Sequence, residues 1–170
     1  MSKNKIIIVG GSGSIGAALA NELIKENYLI HLIGRDEGSL KEIANKISCE
    51  YSIADVLNIG ELKSTLEKID GNIYGIAYCV GTINLKPFKI AEEEEYIESF
   101  KINTLGAVTS IKTVLPHLTQ NNGSVLLFST IAVKQGFTNH AIISSSKGAI
   151  EGLTLALAAE LAPNIRVNCI

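Results

Sequence analysis

Short apolar runs and longer amphipathic ones alternate along the whole chain. "IIIV" (6–9), "LIHLI" (29–33), "EYSIA" (50–54), "YGIAYC" (74–79), "SVLLF" (124–128) and "IRVNCI" (165–170) are bounded by glycine and polar residues, and several are apolar on both faces. That pattern predicts six strands of the buried, parallel kind. Between them lie "GAALANELIKEN" (16–27), "SLKEIANKI" (39–47), "GELKSTLEKI" (60–69), a long stretch over 91–118 and "SSKGAIEGLTLALAAELA" (145–162), all with helical spacing. Strand and helix in strict turn predict a Rossmann-like α/β fold, a doubly wound parallel sheet with helices on both faces. No linker, low-complexity tract or internal repeat interrupts the alternation, so residues 1–170 read as a single domain. The acids Glu92 to Glu95 fit the solvated first turn of the long helix. Ser144, Ser145 and Ser146 fit the start of the last one, as capping residues.

Composition narrows the class. With 170 residues, of which 46% are hydrophobic and 19% charged, the chain reads as a soluble globular protein. Its formal net charge of -2, with Lys and Arg scattered, leaves no basic stripe for a nucleic acid. Cys49, Cys79 and Cys169 are odd in number and far apart, so neither a disulfide framework nor a metal site is indicated, and a cytoplasmic location fits best. "KNKIIIVGG" imitates the basic start of a signal peptide, but glycines break its apolar run after four residues. No stretch is long and apolar enough to span a membrane.

The first strand runs straight into "GGSGSIGAALANEL", placing Gly10, Ser12, Gly13, Ser14, Ile15 and Gly16 at the turn into the first helix. Glycines let that turn approach a pyrophosphate closely, and the helix N-terminus favours its charge. A P-loop would need Lys and Ser or Thr directly after the last glycine, where Ala17 and Ala18 stand. An adenosylmethionine-dependent methyltransferase would share the architecture and is the weaker alternative, because the acid expected in its first strand is replaced by Ile6, Ile7, Ile8 and Val9. At the end of the second strand, Gly34 carries no charge and Arg35 supplies a cation. NADP(H) is therefore preferred as cofactor, with NAD(H) possible and Asp36 available to a ribose diol. Asp55 is placed either to meet the adenine edge or to cap a turn.

These features together resemble the short-chain dehydrogenase/reductase family. The resemblance is carried by the glycine loop, Asp55-Val56, "NTLG" (103–106), "FST" (128–130), "SSSKGAIEGLTLALAAELAP" (144–163) and "IRVN" (165–168). It implies that Lys147 binds the nicotinamide ribose, that Asn103 holds a water in a proton relay, and that Gly81 and Val56 lie against the cofactor. It also implies a hydroxyl after the fifth strand that orients the carbonyl of a small-molecule substrate, a role falling on Thr130, with Ser129 beside it. The tyrosine that should exchange a proton with the substrate oxygen, four residues before Lys147, falls on Ile143. Candidate substitutes are His140, Ser144, Lys147 itself or a water held by Asn103. In place of the family's Asn-Asn-Ala-Gly stands Tyr78-Cys79-Val80-Gly81.

The resemblance further implies a substrate loop, another helix and a seventh strand after Ile170, so the domain is expected to be incomplete at its C-terminus. Two functions follow as expectations. One is an NADP(H)-dependent oxidoreductase acting on a carbonyl or alcohol; the other is a non-catalytic NADP(H)-binding protein, favoured by Ile143. A homodimer or tetramer pairing through 91–118 and 144–162 is implied as well.

Overall fold

The computed structural model describes residues 3–170. Six strands, β1 (Lys5–Val9), β2 (Leu29–Gly34), β3 (Glu50–Ile53), β4 (Ile73–Tyr78), β5 (Ser124–Leu127) and β6 (Arg166–Cys169), form one parallel sheet in the order β3-β2-β1-β4-β5-β6. The helices are α1 (Ser14–Lys25), α2 (Glu37–Ile47), α3 (Ile59–Glu67), α4 (Glu93–Phe100), α5 (Gly106–Gln120), α6 (Ala132–Gln135) and α7 (Ala141–Glu160). The doubly wound fold read from the pattern is the fold observed.

β1 shows why. All five of its residues are buried, and successive side chains leave opposite faces. Ile7 and Val9 join α3, α5 and α7 through Leu62, Ile111, Val114, Leu118 and Ile150. Ile6 and Ile8 join α1 and α2 through Ala20 and Leu40. With an apolar layer on either side, β1 is apolar at every position from Ile6 to Val9, and burial of each such side chain stabilises the fold by about 1.5–3 kcal/mol. Among the described residues no helix is long and apolar enough to cross a membrane.

The pattern misplaced three features. The stretch 91–118 is not one helix: a 3-10 turn at Phe88–Ile90 precedes α4, and a π turn at Lys101–Leu105 separates α4 from α5. Helical spacing is blind to one extra residue in a turn. The last helix starts at Ala141 with His140 as its N-cap, so Ser144, Ser145 and Ser146 are not caps; they lie in the helix with their hydroxyls turned back to main-chain carbonyls or across to Ser99. Nor is Glu95 merely solvated. It closes a capping box with Glu92 and accepts from Asn84 (2.7 Å) and Lys86 (2.8 Å), which together with the Glu92 amide lower its pKa to about 2.

At the edge near β3, buried His31 pairs with Ser52 Oγ at 2.8 Å and Glu50 Oε2 at 3.3 Å, and Lys5 donates to the same Glu50 oxygen at 2.8 Å. Desolvation outweighs the attraction of Glu50 and holds the His31 pKa below its ordinary 6.5. The unfolded chain then binds a proton first as pH falls below 6.5, so stability declines in that window. Denaturation midpoints measured from pH 8 to 5 are expected to fall below about pH 6.5, and His31→Asn should flatten the decline. A parallel decline in the variant would remove His31 from the explanation.

Candidate functional site

Strand order turns around β1: β2 and β3 lie to one side of it, β4, β5 and β6 to the other. Loops leaving the C-terminal ends of β1 and β4 therefore diverge, and a cleft opens where they part. Its volume is about 470 Å³. Gly10, Ser12 and Gly13 form its floor, Arg35 and Asp55 stand after β2 and β3, and Gly81, Thr82, Glu98 and Ile102 form the wall after β4.

The glycine loop is shaped for close approach. Gly10 has φ +85°, a left-handed conformation that side chains disfavour, and a Cβ on Gly16 would overlap the Gly10 carbonyl oxygen. Gly13 is the N-cap of α1 and offers no side chain to its first-turn N–H groups. Those donors and the positive end of the helix dipole stand beside the cleft, which suits them to an anion. Ser14 and Ile15 are exposed in that first turn, while Gly16 is buried against the loop. The absence of a capping side chain, the tight loop and the volume all fit the pyrophosphate of a dinucleotide.

Around the cation of the second strand, Arg35 lines the cleft, whereas Asp36 caps α2 by accepting from the Ser39 amide at 2.7 Å. Asp55 caps the turn after β3, its Oδ1 accepting from the Leu57 amide at 2.9 Å, and it also lines the cleft. Val56 lies beside it on the same wall.

Asn103 is fully buried in the π turn. Its Nδ2 donates to the Ser99 carbonyl at 2.9 Å and, over a long 3.5 Å, to the Thr82 carbonyl, while its Oδ1 accepts from the Thr82 amide at 3.4 Å. Lys147 is also buried, 8% exposed, and its Nζ donates to the Phe128 carbonyl at 2.9 Å. Desolvation lowers its pKa from 10.5. Both lie against Gly81 of the cleft wall: a Cβ on that residue would stand 3.2 Å from Asn103 Oδ1 and 3.5 Å from Lys147 Nζ. Cys79 lines the same wall, but burial raises its thiol pKa to about 12, so it is held neutral.

The remaining predicted residues follow β5 or lie at the start of α7. Ser129 gives its hydroxyl to Glu151 Oε1 at 2.7 Å. The Thr130 hydroxyl accepts from the Ala132 amide at 3.3 Å, which leaves its own proton free for another acceptor. His140 donates from Nδ1 to the Thr138 carbonyl at 2.8 Å and packs on Phe137, within its own loop. Ser144 donates to the Ala132 carbonyl at 3.2 Å. Ile143 is 2% exposed and has no proton to offer.

Two residues at or behind the cleft were given no role by the sequence. Glu98 looks like any exposed helix acid until α4 is placed beside the cleft. Tyr78, the last residue of β4, stands where the family has asparagine, and its hydroxyl donates to the Ile102 carbonyl of the π turn at 2.6 Å.

Comparison with known proteins gives the family and the fold. The family model described as short chain dehydrogenase matches residues 4–170. The bifunctional ribulose 5-phosphate reductase/CDP-ribitol pyrophosphorylase of Haemophilus influenzae is 29% identical over 178 residues, which take in 100% of this chain and only 34% of that protein. The 3-hydroxyacyl-CoA dehydrogenase type-2 of Bos taurus is 29% identical over 183 residues, covering 96% of this chain and 70% of the relative. The chain thus spans about a third of the first relative and over two thirds of the second. Among solved structures, a short chain dehydrogenase from Shigella flexneri superimposes with a TM-score of 0.92 at 24% identity, covering 99% of this chain and 71% of its own. A short-chain type dehydrogenase/reductase from Mycobacterium ulcerans gives a TM-score of 0.92 at 20% identity, covering 99% and 67% respectively. At these identities the structures speak for the fold alone.

Proposed function

Because the chain belongs to the short-chain dehydrogenase/reductase family, we propose that it is an oxidoreductase that transfers hydride between NADP(H) and a small carbonyl or alcohol substrate. The observation that carries this reading is the cleft at the sheet's switch point, with an uncapped helix N-terminus at its floor and Arg35 after the second strand. Bound there, the nicotinamide cofactor supplies or accepts the hydride at the substrate carbon.

The chain's own residues do the rest. Gly10, Gly13 and Gly16 let the loop close on the pyrophosphate, Ser12 and the first-turn amides of α1 donate to it, and Ser14 and Ile15 border that turn. Arg35 pairs with the 2′-phosphate, and Asp55, Val56 and Gly81 face the cofactor along the walls. Lys147 holds the nicotinamide ribose. The Thr130 hydroxyl donates to the substrate oxygen, a role for which Ser129, already committed to Glu151, is less suited.

With Ile143 unable to exchange a proton, Lys147 gives the proton that the oxygen gains on reduction. It is the titratable group that is buried beside Gly81 and whose pKa is lowered by that burial. His140 and Ser144 are tied to their own loop and to α6. The same reading places the protein in the cytoplasm as a homodimer or tetramer. Ile97, Phe100 and Leu105 are exposed along α4 and the π turn, and Leu155 on α7, so these surfaces suit pairing.

Fluorescence titration with NADPH and NADH, followed by turnover on a carbonyl panel, tests the proposal. NADPH is expected to bind more tightly, and Arg35→Ala should cost NADPH about tenfold in affinity while leaving NADH within about twofold. Binding without turnover would favour a cofactor-binding protein without dehydrogenase chemistry. Binding of neither nucleotide would overturn both readings.

A further inference from the structure

The π turn at Lys101–Leu105 has a structural cost that a regular helix does not, because the widened turn leaves a main-chain carbonyl without its usual helical partner. A carbonyl in that state, partly withdrawn from water as at Ile102, is costly unless something donates to it. Tyr78, 2% exposed at the end of β4, is the donor: its hydroxyl reaches the Ile102 carbonyl at 2.6 Å. The neighbouring backbone makes room for it. A Cβ on Gly106 would overlap the Tyr78 hydroxyl and stand 3.0 Å from its Cζ, so "NTLG" carries its glycine where the ring of Tyr78 passes. Burial also raises the Tyr78 pKa, which keeps the hydroxyl protonated as a donor.

One residue beyond Ile102, the Asn103 amide grips both main-chain groups of Thr82, its Oδ1 accepting from the N–H at 3.4 Å and its Nδ2 donating to the carbonyl at 3.5 Å. Both bonds are long, so small displacements of the π turn loosen them. Gly81 and Thr82 form the wall of the cleft. We propose that Tyr78 is a positioning residue, whose hydroxyl fixes the π turn at Ile102 so that Asn103 clamps the Gly81–Thr82 wall against the bound dinucleotide. The path runs from the end of β4, through the helix break, back to the loop that follows β4. This inference rests on the reading of the cleft as a dinucleotide site.

NADPH dissociation constants of the wild type, Tyr78→Phe, Asn103→Ala and the double variant test it. Tyr78→Phe keeps the ring and removes only the hydroxyl; it is expected to weaken NADPH binding about fivefold, and Asn103→Ala about tenfold. If the effect of Tyr78 passes through Asn103, the double variant binds within about twofold of Asn103→Ala alone. Unchanged affinity in Tyr78→Phe, or multiplicative losses in the double variant, overturns the proposal. Amide hydrogen exchange supplies a readout that needs no ligand. Tyr78→Phe should accelerate exchange at the Thr82 amide at least tenfold while amides of β1 stay within about twofold. Equal acceleration in both places would mean general destabilisation and would refute positioning. If the wild type binds no nucleotide, the function proposed above fails, and the exchange result still decides the role of Tyr78.

Discussion

Replacing Ile143 with tyrosine is expected to raise carbonyl turnover by about a hundredfold to ten-thousandfold, the range that a positioned general acid contributes. Ile143 and Lys147 are four residues apart in α7, on one face of the helix. A phenol at 143 would stand near a buried ammonium, which favours its ionised form and lowers its pKa toward the working range. The proton would then come from the phenol, and Lys147 would return to holding the ribose. Ile143 is 2% exposed, so the larger ring also costs about 1–3 kcal/mol in overpacking. Ile143→Phe separates the two effects, since it carries the same ring without the hydroxyl and should show the stability loss with none of the gain. Steady-state turnover with NADPH, read alongside denaturation midpoints, checks both variants. Equal turnover in Ile143→Tyr and wild type would mean that this position does not face the reacting oxygen.

Gly16→Ala is expected to raise the NADPH dissociation constant at least about a hundredfold, equivalent to about 2.7 kcal/mol. The added methyl would overlap the carbonyl oxygen of Gly10 and lie 3.0 Å from both the Gly10 carbonyl carbon and the Gly11 Cα. All three are main-chain atoms, so no side chain can swing aside to make room. The loop itself must move off the helix, and the surface offered to the pyrophosphate moves with it. Gly10 adds to the rigidity, because its φ of +85° leaves few other conformations open to the turn. A loss of stability of about 1–3 kcal/mol should accompany the loss of binding. Titration with NADPH at a temperature where the variant is folded keeps the two apart. Retained affinity there would place the phosphate somewhere other than this loop.

The glycine loop was legible because its cause is local. Its residues are consecutive, and its conformation follows from glycines at fixed offsets between a strand and a helix. Arg35 and Asp55 were legible for a related reason: each directly follows a strand, and parallel order brings strand ends to one edge of the sheet. Lys147 and Asn103 could be proposed only from resemblance, since a lysine near a helix start and an asparagine within a helix have ordinary solvated states. Their burial, and their meeting at Gly81, come from the packing of α7 against the π turn and β6. Ser129 and Thr130 looked interchangeable in the chain. Glu151, 22 residues away, distinguishes them by taking the Ser129 hydroxyl.

By itself the amino-acid sequence determined the alternation of strand and helix, the parallel sheet that this alternation forces, the tight glycine loop at its start, and the absence of a hydroxyl at 143. These depend on period, on glycine and on residue identity, all of which are properties of short segments. Tertiary structure alone decided that the long helix breaks at Lys101–Leu105, that Tyr78 satisfies the carbonyl at Ile102, and that Glu98 faces the cleft. Each of these joins groups from separate elements, and whether a polar atom is satisfied or a charge is desolvated depends on neighbours that the chain brings together only when the sheet and its helices have packed.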